Sequence, residues 1–141
     1  MITSDINGIS NLFFQPALSG LGFSHASGLD SDCLGKLVTD ADDVNQCILV
    51  ILTTPKGSSP HRPLFGSNLH LYIDYPIDRA RPHIVREAVD ALRAWEPRIE
   101  VVTVSVSVSG VAELTCQVEW KFVDSVGAES FVANLRLGFG A

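Results

Sequence analysis

Charge is sparse in this 141-residue sequence: Asp, Glu, Lys and Arg make up 18% of it, and they sum to a formal net charge of -6. An acidic balance without a clustered basic face excludes a protein built to approach phosphate backbones, so no nucleic-acid partner is expected. No run of about 18 apolar residues occurs, which excludes a conventional membrane-spanning helix. Cysteine is scarce as well. Cys33, Cys47 and Cys116 are odd in number and widely spaced, with no C-x-x-C pair, so they suggest neither a disulfide framework nor a zinc site and read as small buried hydrophobes. The histidines His25, His61, His70 and His83 lack any H-x-x-x-H or H-E-x-x-H spacing, and no metal is expected. There is no G-x-S-x-G elbow and no phosphate-cradling glycine loop; Gly20 and Gly22 form a G-x-G with no strand before it and no helix after it. Met1 to Ser10 lacks the basic start and apolar stretch of a secretory signal, so the chain is expected to fold where it is made, in a reducing cytoplasm.

What is present is 46% hydrophobic residues, enough for one globular domain at this length. Residues 1–39 are rich in Gly, Ser, Asn and Asp and show neither helical nor strand period, so they read as an irregular N-terminal arm. Leu12, Phe13, Phe14 and Leu18 nonetheless equip the arm to dock, on its own domain or on a neighbour. The domain proper is placed at 40–141. Asp40 is a good N-cap, Asp42 and Asp43 favour a helix first turn, and Val44, Cys47, Ile48 and Ile51 recur on one face, predicting a helix over about 41–54. Pro55 to Pro63 is a loop, because its prolines and Gly57 deny the backbone a regular ladder. Leu69, Leu71 and Ile73 alternate with His70 and Tyr72, which leaves strand, turn and short helix open.

A second helix is predicted from near Pro82 to Trp95, with Ile84, Ala88, Ala91, Leu92 and Trp95 on one face and Pro97 as its stop. Three strands follow. Val102, Val104, Val106 and Val108 alternate with Thr103, Ser105, Ser107 and Ser109; Leu114, Cys116, Val118, Trp120 and Phe122 alternate with polar residues; Phe131, Ala133, Leu135, Leu137 and Phe139 close the series. The expected fold is α+β, two-layer, with a C-terminal antiparallel β-meander packed against two main helices. The last strand is apolar enough to recruit another chain if it is an edge, although a central place in the sheet is the alternative.

Glu87 and Glu96 are the acids to weigh for glycoside cleavage, but Glu87 sits on an amphipathic helix and nothing marks out a partner acid. The informative cluster is Trp95-Glu96-Pro97-Arg98-Ile99, an anchored aromatic and two opposite charges around a stiff proline. Either Glu96 and Arg98 pair with each other across the helix end, or Arg98 offers its planar fork to another chain while Glu96 holds it.

With Leu52-Thr53-Thr54-Pro55, Gly57, Arg62-Pro63-Leu64-Phe65-Gly66 and Glu96-Pro97-Arg98 in this order, the stretch of about 40 to 109 resembles the gp25-like (GPW/gp25) family of phage baseplate wedge and sheath-initiator proteins, related to the type VI secretion baseplate subunit. Ser58-Ser59 stands where the family often has Glu-Arg, and the arm lies outside the resemblance. The resemblance implies a structural protein, not an enzyme, without cofactors, that joins the wedge core to the first sheath ring of a contractile phage tail and initiates sheath assembly. It implies wedge-core contacts at Glu96, Pro97, Arg98, Arg62, Pro63, Phe65 and Gly66, and strand exchange with the tail sheath protein at Phe131, Ala133, Leu135 and Leu137. It further implies several copies in a six-fold ring of the virion baseplate, assembled in the bacterial host cytoplasm. The arm, outside the resemblance, is free to reach the tail tube or hub. Three other readings stand beside it: the equivalent secretion-system subunit, a cell-wall lytic enzyme, and a soluble regulator built on the same fold.

Overall fold

The structure, a computed structural model, describes residues 2–3, 14–18, 37–110, 113–123 and 129–138. Three short strands, β1 (Ile2–Thr3), β2 (Phe14–Pro16) and β3 (Leu37–Thr39), form a small antiparallel sheet in the order β1-β3-β2. Helix α1 (Asp40–Thr53), a 3-10 turn (Leu69–Tyr72) and helix α2 (Ile77–Trp95) follow, and β4 (Ile99–Gly110), β5 (Glu113–Phe122) and β6 (Phe131–Gly138) form the expected meander in the order β4-β5-β6. Helix α2 lies against β4 and α1 against β6, which makes the main body the two-layer α+β arrangement anticipated from the sequence pattern.

The meander has a regular inner face. Cross-strand rows such as Val106, Cys116 and Leu135, or Val104, Val118 and Ala133, lie side by side. The register of β4 on β5 shifts twice, between Val101 and Thr103 and between Val108 and Gly110. Ile99 and Val101 point inward on odd positions and Val104 and Val106 on even ones, because an irregularity between Val101 and Thr103 leaves Val102 without a partner on β5 and half exposed. Val108, expected on the apolar face, is 56% exposed beside the second irregularity, and Val102 was expected there with the other valines. A bulge turns it out, since one extra residue inverts the side-chain phase of everything beyond it.

Two more expectations shift. Helix α2 starts at Ile77, five residues before Pro82, so the proline sits inside it. Pro76 supplies the carbonyl that takes the first bonds from Arg79 and Ala80, both at 2.9 Å. Pro82 lies in the helix's second turn, where its missing N–H removes one bond that the burial of Ala80, Ile84 and Ala88 offsets. Among the arm's described residues, 2–3, 14–16 and 37–39 are strands, with Pro16 on the edge strand where a missing donor is tolerated. Phe139 of the last predicted run, Cys33 and His25 lie outside the described residues.

Side chains tie the layers. Trp120 is fully buried, donates its indole N–H to Asn45 Oδ1 at 3.0 Å and stacks on Phe131 at 4.9 Å. Cys116 is buried as expected, and burial pushes its thiol up to about 12. Because that lies above the unfolded value of 9.0, the contribution to stability is fully present below about pH 9 and is lost as pH rises towards about 12. Between about pH 8 and about pH 10 the wild type is expected to lose about 1.4 kcal/mol more than Cys116→Ala. Urea unfolding of both chains at the two pH values checks this, since the cavity left by the substitution cancels within each protein.

Candidate functional site

The turn from α2 into β4 is built around an ion cluster. Glu96 caps the helix, its N–H reaching Leu92 O at 2.8 Å, and Pro97 ends the helical ladder. Arg98, two residues on, folds back on it: Nε donates to Glu96 Oε1 at 2.6 Å and Nη2 to Oε2 at 2.8 Å, a bidentate pair. Nη1 donates to Asp43 Oδ2 at 2.8 Å, and Nη2 also lies 3.4 Å from Cys47 Sγ. Glu96 and Asp43 are 4% and 3% exposed. The guanidinium therefore bolts the α2–β4 corner to the first turns of α1. Hydrogen bonding to Glu96 is the main cause that raises the Arg98 pKa, opposed by burial and helped by Asp43, so its charge is permanent. Burial, then the Asp43 and Glu96 charges, pushes the Cys47 thiol up, which keeps it protonated and chemically quiet.

The Arg62–Gly66 segment forms the neighbouring wall. Phe65 meets Trp95 edge to face, with centroids 5.1 Å apart. Gly66 is buried with φ +103, and a Cβ there would collide with Thr54 O, which already accepts the Ser67 N–H at 2.9 Å. Gly57 N–H closes on Pro63 O at 2.9 Å. The motifs that are far apart in sequence thus meet: Thr54 with Gly66, and Phe65 with Trp95 beside Glu96. Within this surface Phe65 and Gly66 are packing residues, whereas Arg62, Pro63 and Pro97 are exposed and Leu64 is 75% exposed.

The four residues named for strand exchange lie on β6, which pairs with β5 alone and is an edge of its sheet among the described residues. Ala133, Leu135 and Leu137 are buried and Phe131 packs on Trp120, so their side chains serve the core. Only the main-chain edge and the outward Val132, Asn134 and Arg136 face away from it.

Asp43, Gln46 and Gln15 were not singled out by the sequence. Asp43 looks like an ordinary first-turn acid, and the one hint is spacing: Asp43, Gln46 and Cys47 stand at i, i+3 and i+4, a second stripe on α1 beside the apolar one. That stripe is covered by the segment 14–18. Gln46 is 1% exposed, donates Nε2–H to Pro16 O at 2.8 Å and accepts the Leu18 N–H at 2.9 Å. Gln15 donates to Asp43 O at 2.9 Å. Among the described residues no group of three His, Cys, Asp or Glu side chains could hold a metal, and no helix is long and apolar enough to cross a membrane.

A search of curated proteins gave no match. Similar solved structures include a tail lysozyme-like protein of Geobacter sulfurreducens (27% identity, TM-score 0.63, covering 74% of this chain and 96% of that one). A chain of the pyocin R2 postcontracted baseplate is 28% identical, with TM-score 0.54 over 72% of this chain and 96% of that one. A chain of the type VI secretion baseplate complex, at 18% identity and TM-score 0.59 over 70% and 92%, shares the fold. The family model of the baseplate wedge protein gp25 matches residues 38–124, a span that begins in β3, ends just past β5 and takes in both helices, the Arg62–Gly66 wall and the Arg98 cluster. More than half of the sequence is thereby accounted for, and the chain belongs to the gp25 baseplate wedge protein family.

Proposed function

We propose that this chain is a non-catalytic subunit that joins the wedge core of a contractile phage-type tail to its first sheath ring and so initiates sheath assembly. The observation that carries the reading is the corner itself. The Arg62–Gly66 segment and the Glu96-Pro97-Arg98 corner are locked in place by Phe65 on Trp95 and by Arg98 between Glu96 and Asp43, and the lock presents Arg62, Pro63, Leu64 and Pro97 outward. A rigid, partly apolar corner suits a helical partner, because anchors fixed before binding cost less ordering entropy. In this reading Arg98 and Glu96 position the corner, the exposed residues touch the wedge protein, and the β6 main-chain edge receives a sheath strand. The copies would stand in a six-fold ring of the baseplate, assembled in the host cytoplasm. The 28% identity to the pyocin baseplate chain against 18% to the secretion one supports a tail over a secretion machine.

The lytic alternative draws on the Geobacter relative. Against it stand the two acids that chemistry would need: both Glu96 oxygens accept from Arg98, and Glu87 lies 3.5 Å from Lys56. Co-expression with the products of adjacent tail genes tests the proposal. Arg62→Ala/Leu64→Asp is expected to lose the wedge protein in a pull-down while keeping the wild-type melting temperature. Retention of that partner at wild-type yield overturns the corner as the contact, and clearing of a peptidoglycan zymogram by the purified chain overturns the non-catalytic assignment.

A further inference from the structure

The segment 14–18 is held the way a receptor holds a peptide. Gln46 uses both ends of one buried amide on main-chain atoms two residues apart, Pro16 O and Leu18 N–H, which is the spacing an extended chain presents on one edge. The same segment adds to β3 as an antiparallel strand, with Gln15 opposite Val38 and Pro16 opposite Leu37. Ala17 fills the space between as a small plug, 1% exposed. Main-chain bonds and one small pocket define a strand-addition site, formed by β3 and the Asp43–Gln46–Cys47 stripe of α1, whose occupant happens to be the chain's own arm.

We propose that this site exchanges arms between copies of the chain, residues 14–18 of one copy filling the α1–β3 groove of the next. Every contact just named is identical whether the segment arrives from the same chain or from a second one, so only the tether distinguishes the two states. The connection from Leu18 to Leu37 consists of residues 19–36, and a chain of that length can reach at most about 60 Å, enough to cross to an adjoining copy of a domain this size. A tether of this length supplies an effective concentration of about millimolar order, so exchange sets in when copies reach that concentration or are held side by side. The inference goes beyond the wedge and sheath contacts and does not depend on them.

Two full-length variants test it by complementation. Gln46→Leu has a damaged groove and an intact arm; Ala17→Arg has a damaged arm and an intact groove. Co-refolded at about millimolar concentration, they are expected to give a one-to-one heterodimer in native mass spectrometry, with neither variant dimerising alone. A mixture that stays monomeric overturns the proposal. The wild type supplies a second measurement that is independent of how the variants fold. In a co-refolded mixture of carbon-13-labelled and unlabelled chains, isotope-filtered contacts between the labelled Ala17 methyl and an unlabelled Gln46 side chain are expected. Their absence, with the same contact intact within each chain, shows a fixed arm and overturns exchange.

Discussion

Arg98→Ala is expected to destabilise the chain by about 3 kcal/mol, because it strands two carboxylates that are almost fully buried. Removing one partner of a buried ion cluster costs more than the cluster contributes, since the remaining charges have already given up their water. The lower part of the usual range applies here: the Arg98 side chain keeps 25% of its exposure, so water can partly replace it. Arg98→Lys keeps the charge and loses the planar fork, and about half of the loss is expected. Asp43→Asn/Glu96→Gln/Arg98→Met removes all three charges together and is expected to recover much of the stability. Urea titrations with unchanged slope measure all three chains. If Arg98→Ala unfolds at the wild-type midpoint, the cluster does not hold α1 to the α2–β4 corner. The experiment also bears on assembly: a partner released by Arg98→Ala reports on the corner's shape as much as on any direct contact, which is why exposed Arg62 and Leu64 are the cleaner probes.

Gly66→Ala is expected to cost about 3–5 kcal/mol, enough to leave a marginal domain partly unfolded. Two causes add. The backbone at φ +103 is a region that side-chain-bearing residues rarely adopt, and the new Cβ would meet the Thr54 carbonyl, which is main chain and already bonded to Ser67 N–H. Gly57→Ala is the matched control. It shares a positive φ, +86, but a Cβ there meets nothing within 4 Å, so only the backbone cost of about 1 kcal/mol is expected. Equal losses at the two glycines would show that the close approach to Thr54 does not matter.

The helices and the meander were legible because each has a period that burial imposes. Val44, Ile48 and Ile51 recur at helical spacing, and the Leu114-to-Phe122 run alternates without a break. Legibility failed where local preference and burial disagree. Pro82 read as a helix start, since nothing in the sequence shows that Ala80 would be buried and carry the helix back to Ile77. Val102 read as inward because a bulge is visible only against the partner strand. Glu96 and Arg98 were conspicuous, yet the third charge of their cluster, Asp43, lies 55 residues from Arg98 and was indistinguishable from a dipole-favoured acid.

By itself, then, the sequence determined the layer architecture, the order of the two main helices and the meander strands, the scarcity of reactive groups and the motif series that identifies the family. These are properties of composition, period and short spacing, which a linear chain displays directly. Only the tertiary structure decided that Arg98 faces inward to Asp43 as well as Glu96, that Gly66 is pinned against Thr54, and that Gln46 clasps the arm. Each of those depends on two segments brought together across at least 12 residues of chain, where the energy lies in burying a polar or bare backbone group beside a specific mate. No local pattern encodes such a mate.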